Sequence, residues 1–340
     1  RRHTRSLCDW SSDVCSSDLT AVISGTGSFS SLDAGIGTDA LTLNRTNPID
    51  SVTISGAGAG SIGGAGSFSG FESLDLGNGD DSLTLNAAAS STITIAGGNG
   101  TDSLSVASSD TSNNTLSLSG SGSGSLGAVS FSGIDAISLG SGSDSATISS
   151  GASLSNGLDV GDGANTIVLN SGAGSLGSLS AGSGNDSLTL SGGTITGAAN
   201  LGDGSNQATI SGGSAGSFAT GTGNDSLTLS GGTITGAANL GDGSNQATIN
   251  SGSLGSLSTG SGSDSLTLNG GTISGAVDLS AGNNQATISS GSAGSFTTGT
   301  GNDSLTLSGG TITGAVDLGA GSNQLLISST SSSIDGNVSF

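Results

Sequence analysis

Apolar and polar residues alternate in short segments that recur along most of the chain. In Ser187-Leu188-Thr189-Leu190 the apolar residues stand two apart, and the same pattern returns in Gln207-Ala208-Thr209-Ile210. Alternation with period two predicts a short strand with one buried face. Strands of this length bury a core only when many of them stack, so the pattern favours a repeat protein.

The repeat is visible directly in the sequence. A phrase beginning Gly-Thr-Gly-Asn-Asp-Ser-Leu starts at Gly221 and again at Gly299, with near copies at Gly182 and Gly260. These starts give a period of 39 residues, which divides into two units that open on Gly-x-Gly or a variant of it. We therefore predict an all-β fold, a parallel β-solenoid of the β-helix or β-roll kind, with about 15 coils of 19–22 residues.

The regularity of the repeat divides the chain into three parts. Residues 1–19 do not fit the array and resemble a translated sequencing-library adapter, so we expect this leader to be no part of the fold. Residues 20–160 are predicted to form irregular coils of about 21 residues, and residues 161–340 regular double coils of 39 residues. We expect one continuous solenoid that is an internal fragment of a longer protein.

The predicted interior positions show compensating sizes. Leu at the seventh position of a coil occurs with Ala or Val three residues before the next coil, as in Leu188 with Ala199. Ala at the seventh position occurs with a larger residue, as in Ala208 with Phe218. A narrow, filled interior requires this exchange, whereas a disordered Gly- and Ser-rich linker would not show it.

Charge and composition argue against several kinds of function. The chain has 25 acidic and 4 basic residues and a formal net charge of −21 at pH 7. An acidic surface repels phosphate backbones, so we expect no nucleic-acid partner. No apolar run approaches the length of a membrane span, so none is expected in this part of the protein.

Catalytic side chains are scarce. After residue 19 the sequence has no His, Lys, Cys or Tyr, which leaves carboxylates, hydroxyls and Arg45. Cys8 and Cys15, in the leader, have a spacing that fits no usual zinc motif. A catalytic carboxylate pair should break the repeat, whereas the Asp residues recur at equivalent positions. We therefore expect a protein that is not an enzyme.

The fifth position of each predicted coil carries the most informative polar residues. From Asp144 onward Asp and Asn alternate strictly from coil to coil. Carboxylates on neighbouring coils, about 4.8 Å apart, would repel by roughly 1 kcal/mol in water and by more at a half-buried corner. The positions read Asp39, Gly60, Asp81, Asp102, Gly124, Asp144, Asn165, Asp186, Asn206, Asp225, Asn245, Asp264, Asn284, Asp303 and Asn323.

Two interpretations of these positions remain open. Gly, Asn and Asp favour tight corners, and stacked Asn side chains form hydrogen-bonded ladders. Alternatively, Ca²⁺ takes carboxylate and carbonyl oxygens and would neutralise the stacked charge. The candidate calcium ligands are Asp39, Asp81, Asp102, Asp144, Asp186, Asp225, Asp264 and Asp303, with Asp162, Asp203 and Asp242, at the second position of Asn-containing coils, as weaker candidates.

One segment resembles a known calcium-binding repeat. Gly97-Gly98-Asn99-Gly100-Thr101-Asp102-Ser103-Leu104-Ser105 is similar to the nonapeptide G-G-x-G-x-D-x-U-x of RTX (repeats-in-toxin) proteins. The phrase at Gly221 also resembles the coil repeat of the calcium-dependent ice-binding region in large bacterial RTX adhesins. This resemblance implies a calcium-loaded β-roll or β-helix in a secreted or cell-surface bacterial protein, with the Asp as ligand. The opposite corner, Ser191-Gly192-Gly193, departs from the RTX pattern because it has no carboxylate.

Together these features favour a non-catalytic stalk or passenger segment of an adhesin-like protein on the bacterial surface or outside the cell. Its expected partners are the neighbouring coils of the full-length protein and a surface or matrix ligand. Two alternatives remain, an ice-binding or other flat-surface-binding solenoid and a polysaccharide-active β-helix. The first would use the most regular outward row, Thr189, Thr209, Thr228, Thr248, Thr267, Thr287 and Thr306.

Overall fold

The computed structural model describes residues 18–25, 28–45, 50–86 and 92–340, and the leader cysteines Cys8 and Cys15 lie outside these ranges. The chain separates into two compact units, unit 1 up to Val160 and unit 2 from Gly161 to Phe340. Both are built from stacked, mostly parallel strands, which confirms the predicted all-β parallel β-solenoid with about 15 turns. The described residues include no helix long and apolar enough to cross a membrane.

Unit 1 contains sixteen strands within its described residues. They are β1 (Thr20–Ser24), β2 (Ser31–Asp33), β3 (Ala40–Asn44), β4 (Ser51–Gly56), β5 (Ala59–Ile62), β6 (Gly66–Ser69), β7 (Ser73–Asp75), β8 (Ser82–Leu85), β9 (Thr94–Ala96), β10 (Ser103–Val106), β11 (Thr115–Gly120), β12 (Ser123–Leu126), β13 (Val129–Ser132), β14 (Ala136–Ser138), β15 (Ser145–Ile148) and β16 (Gly157–Asp159).

Unit 2 continues the numbering. Its strands are β17 (Thr166–Leu169), β18 (Ser175–Leu176), β19 (Leu179–Ser180), β20 (Ser187–Leu190), β21 (Thr194–Asn200), β22 (Gln207–Ile210), β23 (Ser214–Ala219), β24 (Ser226–Asn239), β25 (Gln246–Ser258), β26 (Ser265–Leu268), β27 (Thr272–Ile273), β28 (Val277–Asp278), β29 (Gln285–Ile288), β30 (Ser292–Ala293), β31 (Phe296–Thr297), β32 (Ser304–Leu307), β33 (Thr311–Ile312), β34 (Val316–Asp317), β35 (Gln324–Ile327), β36 (Ser333–Ile334) and β37 (Val338–Ser339).

Each coil of unit 2 contributes to three ladders of parallel strands. The first ladder contains β20 and β22, where Thr189 lies opposite Thr209. The second and third run through β21, which continues past Gly197 without a break in the strand. Since identical positions of successive coils pair, every column of the sequence repeat becomes a row along the stack.

Large and small side chains alternate along the interior rows of unit 2, as predicted. Phe218 lies in register between Ala199 and Ala238. In the first ladder, Ala208 of the same coil as Phe218 lies between two Leu residues of the neighbouring coils. All these side chains are buried. The exchange of size between the two rows fills the interior at constant coil spacing.

The third position of each unit 2 coil accepts only glycine. Gly223 has a φ of +138°, and a Cβ on it would lie 1.9 Å from the carbonyl oxygen of Gly204 in the preceding coil. Gly204 stands in the same relation to Gly184, with a Cβ at 1.8 Å. Both the backbone angle and the closeness of the stacked backbones therefore exclude a side chain.

Unit 1 departs from the predicted coils in two places. Strands β4, β5 and β6 pair antiparallel in sequence, and β11, β12 and β13 repeat this arrangement. Gly60 and Gly124 lie within the middle strands β5 and β12, so their assignment to the fifth position of a coil is wrong. The chain reverses next to Gly58 and Gly122, whose positive φ values of +59° and +57° permit tight turns.

Candidate metal centre

The fifth-position residues form a buried row at the corner that precedes the first strand of each coil; we call this row the corner column. Each side chain bonds the backbone of the coil before it. Asp225 Oδ1 accepts the N–H of Asn206 at 2.7 Å, and Asn245 Oδ1 accepts the N–H of Asp225 at 2.9 Å. The side chains therefore satisfy backbone donors that the tight corner would otherwise leave buried and unpaired.

The same bond recurs at every step of unit 2. It joins Asn165, Asp186, Asn206, Asp225, Asn245, Asp264, Asn284, Asp303 and Asn323 in sequence, with N···O distances of 2.7–3.0 Å. Asp and Asn serve this function equally because the bond uses only Oδ1. The difference between them lies in the second atom of the side chain.

In the coils with Asn, here called Asn coils, the second atom is a satisfied donor. Nδ2 of Asn245 donates to the carbonyl oxygens of Gly241 at 2.8 Å and Gly243 at 3.3 Å. Nδ2 of Asn206 makes the same contacts with its own corner, at 2.9 and 3.4 Å. The corner of an Asn coil is thus closed by its own amide group.

In the coils with Asp, here called Asp coils, the second atom is an acceptor. Oδ2 is buried and has no hydrogen-bond partner in seven of the predicted ligands, each 1–2% exposed. These are Asp39, Asp81, Asp102, Asp186, Asp225, Asp264 and Asp303. The eighth, Asp144, occupies the same place and accepts the N–H of Asn114 at 2.6 Å. All eight predicted residues therefore lie in the corner column.

Unit 1 adds column members that the sequence pattern did not reveal. The N–H of Asp50 donates to Asp81 Oδ1 at 2.6 Å, and the N–H of Asp39 donates to Glu72 Oε2 at 2.8 Å. Asp135 likewise accepts the N–H of Asp102 at 3.0 Å. The signal was present, since Asp50-Ser-Val-Thr-Ile and Glu72-Ser-Leu-Asp-Leu match the pattern of Asp81-Ser-Leu-Thr-Leu.

The first described residues also contact this row. The N–H of Leu19 donates to Asp39 Oδ1 at 2.6 Å, and the N–H of Thr38 donates to Asp18 Oδ1 at 3.0 Å. Leu19 therefore takes the place in front of Asp39 that a column residue takes in later coils.

One column carboxylate already has a cation. Arg45 Nη1 lies 2.8 Å from Asp50 Oδ1, and both side chains are buried. Burial raises the pKa of Asp50, and the charge and hydrogen bond of Arg45 oppose that rise. A positive charge is therefore compatible with this corner, but Arg45 is the only Arg or Lys after residue 5.

Burial disfavours the charged form of the other column carboxylates. It raises the pKa of Asp81 to about 6, with the backbone hydrogen bond from Asp50 opposing the rise. It also raises the pKa of Asp102, Asp144, Asp186, Asp225 and Asp264. A bound cation would stabilise the ionised form of these carboxylates.

The weaker candidates lie on the surface beside the column. Asp203 Oδ1 accepts the N–H of Thr222 at 2.7 Å and its hydroxyl at 2.9 Å, and these bonds lower the pKa of Asp203. Asp162 and Asp242 make the equivalent contacts and also have lowered pKa values. The charge of Asp203 in turn contributes to the raised pKa of Asp225. The structure thus brings a second carboxylate near the buried one without making it a direct partner.

The donor set suits a hard cation but is not a cluster of acids. Within the described ranges, no three His, Cys, Asp or Glu side chains converge as a metal-binding group. A cation at the column would take one carboxylate oxygen from the protein and the rest from backbone carbonyls, hydroxyls and water. Ca²⁺ accepts such mixed oxygen ligands, so the residues fit this ion.

Comparison with known proteins gives one structural similarity. No family model matches the chain, and no curated protein matches it. Among solved structures, a hyperactive, Ca²⁺-dependent, β-helical antifreeze protein from an Antarctic bacterium matches with 17% sequence identity and a TM-score of 0.38. The match covers 95% of this chain and 80% of that one.

Proposed function

We propose that this chain is a non-catalytic, calcium-stiffened segment of a secreted or cell-surface bacterial protein of the adhesin kind. The observation that carries the proposal is the buried, unpaired Oδ2 that recurs through the corner column. A buried carboxylate oxygen without a partner is costly. Its recurrence in every second coil from Asp186 to Asp303 supports a ligand rather than a local defect.

Calcium suits this site better than a proton does at neutral pH. Asp81, with its pKa raised to about 6, is still mostly ionised at pH 7. The surface carboxylates Asp162, Asp203 and Asp242 add negative charge beside the column. When bound, the ion would supply positive charge and oxygen coordination. Sites with few carboxylates bind Ca²⁺ weakly, which suits the millimolar calcium outside cells.

A passive role is supported by the equivalence of the coils. The column carboxylates serve as acceptors for backbone N–H groups, so their first task is to hold one coil on the next. In unit 2 no carboxylate of the column departs from the repeat, as a catalytic pair would. The ladder of parallel strands makes each coil a structural copy of its neighbours, which is the property of a spacer.

The direct test is a thermal melt of the full chain, followed by circular dichroism, in EDTA and then in millimolar calcium. We expect calcium to raise the melting temperature, because binding at 100 times the dissociation constant adds about 2.7 kcal/mol per site. The variant with Asp186, Asp225, Asp264 and Asp303 replaced by Ala should lose the part of the rise that comes from unit 2, because the column carboxylates of unit 1 remain. The matched control replaces Asp278 and Asp317, which are exposed and outside the column, by Ala.

The proposal is wrong if the wild-type chain melts at the same temperature in EDTA and in calcium. It is also wrong if the control variant loses the calcium response as completely as the column variant does, because the effect would then come from net charge. In either case the column side chains would serve only to accept backbone N–H groups at the corners.

A second candidate function, binding to a flat surface such as ice, rests on the outward Thr row of unit 2. The seven threonines from Thr189 to Thr306 lie opposite one another in successive parallel strands. Each lies between two buried apolar residues, which fixes its direction on the strand. The adjacent row alternates Ser with Gln, as in Ser187 and Gln207, and so interrupts the regularity.

Thermal hysteresis of the calcium-loaded full chain tests this candidate. If the row binds ice, replacing Thr228 and Thr248 by Lys should abolish the hysteresis, while the same change at Thr233 and Thr272, which lie on the second ladder, should not. Absence of hysteresis in the wild-type chain would remove ice as the ligand of this row.

A further inference from the structure

Comparison of an Asn coil with an Asp coil shows which hydrogen bonds the Asp corner lacks. Asn245 and Asp264 have the same shape and make the same Oδ1 bond to the preceding coil, at 2.9 and 2.8 Å. Their second atoms therefore face equivalent parts of their own corners. In the Asn coil that atom donates to the carbonyls of Gly241 and Gly243. In the Asp coil the atom is Oδ2, an acceptor with no donor to meet.

A second alternation accompanies the first. Five residues before the column residue stands Leu in the four Asn coils that follow Asp186, for example Leu240, but Thr in the Asp coils that contain Asp225, Asp264 and Asp303. These three threonines are Thr220, Thr259 and Thr298, and all are buried, at 7%, 5% and 3% exposure.

The buried hydroxyls lie beside the buried carboxylates. The Thr220 hydroxyl lies beside the carboxyl group of Asp225, and the Thr259 hydroxyl beside that of Asp264, and each contact lowers the pKa of its carboxyl group against the larger rise from burial. The Thr220 hydroxyl donates its proton to the carbonyl of Leu240 at 2.8 Å, and Thr259 donates to Leu279 at 3.0 Å. Each hydroxyl has one proton for two acceptors, the Leu carbonyl and the carboxylate. While it donates to the carbonyl, the hydroxyl oxygen faces the carboxyl group as a second acceptor. Two acceptors placed together in the interior call for a cation.

We propose that unit 2 is built to load every second corner, one divalent cation per pair of coils, with the Asn amide taking the place of the cation in the coils between. The loaded corners are those of Asp225, Asp264 and Asp303, each with its Thr hydroxyl as a further oxygen ligand. This inference rests on the proposed calcium function and specifies its stoichiometry and ligands. The spacing of two coils, about 9.6 Å, keeps like charges apart.

Asp186 provides an internal contrast. Oδ2 of Asp186 is also buried and unpaired. The position that Thr220 occupies in the coil of Asp225 is, however, Ala181 in the coil of Asp186, and Ala has no hydroxyl. If the hydroxyl is a ligand, this corner binds calcium more weakly than the three that contain Thr. The chain therefore carries one natural Thr-less corner beside three complete ones.

Calcium titration of the full chain by isothermal calorimetry, with melts in EDTA, tests the inference. We expect the variant D225N/D264N/D303N to bind three fewer calcium equivalents than the wild type. In EDTA it should melt higher than the wild type, because each amide closes its corner as Asn245 does. The variant T220V/T259V/T298V should keep the sites but bind calcium about tenfold more weakly. The control T228V/T248V/T267V, on the outward row, should bind as the wild type does.

The outcomes separate this inference from the function on which it rests. If the wild type binds calcium and D225N/D264N/D303N binds the same number of equivalents, the ligands assigned here are wrong while the calcium function stands. If that variant melts at a lower temperature than the wild type in EDTA, the Asn amide does not replace the cation at the corner, and the inference is wrong. If the wild type binds no calcium, both proposals are wrong. Unchanged affinity in T220V/T259V/T298V would remove the hydroxyl from the ligand set.

Discussion

The backbone N–H of Asn245 donates to Oδ1 of Asp264 at 2.8 Å, and this single bond shows how the coils are joined at their corner. Both residues are 2% exposed, so neither the donor nor the acceptor has water as an alternative partner. Because the bond repeats at every coil of unit 2, the corner column is a continuous chain of buried, mutually dependent contacts.

Replacing Asn245 by Ala should destabilise the chain strongly. The change removes the acceptor for the N–H of Asp225 and both donors to the corner carbonyls of Gly241 and Gly243. A buried polar group left without its partner costs about 1–3 kcal/mol. Urea unfolding in EDTA should show a loss in this range. Asn250, exposed on β25, is the matched control, and its change to Ala should cost less than about 0.5 kcal/mol. Equal effects at the two sites would contradict the role of the column.

Replacing Gly223 by Ala should be among the most damaging single changes. A Cβ there would lie 1.9 Å from the carbonyl oxygen of Gly204, and the φ of +138° is strained for any L side chain. We expect a loss of about 4 kcal/mol or more, measured by urea unfolding. Gly56→Ala is the control, since a Cβ at Gly56 meets nothing within 4 Å. A small effect at Gly223 would show that the coils can separate locally at this corner.

The repeat made unit 2 predictable, because one coil determines the rest. Alternation in Ser187–Leu190 predicted β20 with its observed bounds, and the exchange of size between Ala208 and Phe218 predicted which rows fill the interior. The Asp side chains of the predicted sites lie at the corner, since the residue that precedes a strand in a stacked coil must occupy it. Their role as metal ligands stays a prediction.

Unit 1 was harder because alternation does not distinguish parallel from antiparallel strands. The segments β4, β5 and β6 alternate as a coil does, and only the glycine turns at Gly58 and Gly64 reverse the chain. The burial of Oδ2 could not be predicted from the sequence either. Whether a corner Asp is hydrated or buried depends on how closely the next coil stacks, and that is a property of the whole ladder.

The metal-free chain should become less stable as the pH rises from about 4.5 to 7. Burial raises the folded-state pKa of Asp81 to about 6 and raises that of Asp186, Asp225 and Asp264, whereas the ordinary value is 3.8. Between the two values the folded state binds more protons than the unfolded state, so the free energy of unfolding falls with increasing pH.

Below the ordinary value the surface carboxylates act in the opposite direction. The pKa of Asp203 is lowered by its bonds to Thr222, so its contribution is lost as the pH falls through the folded-state value. Melting temperatures in EDTA should therefore pass through a maximum near about pH 4–5. The variant D186N/D225N/D264N should show a weaker fall above the maximum. A wild-type stability that is flat or rising from pH 4.5 to 7 would contradict the burial of these carboxylates.

The exchange of size in the interior predicts a compensating double substitution. Phe218→Ala removes a ring that is 1% exposed, and such changes cost about 3–5 kcal/mol because a cavity remains. In the next coil the same two positions carry Leu227 and Ala238, so the interior already accepts that combination. Adding Ala208→Leu to Phe218→Ala should therefore recover part of the loss, whereas Ala208→Leu alone should overpack the core and cost about 1–3 kcal/mol. Urea unfolding of the four chains as a double-mutant cycle measures the coupling. A coupling energy of zero would show that the two rows fill independent spaces and that their alternation has another cause.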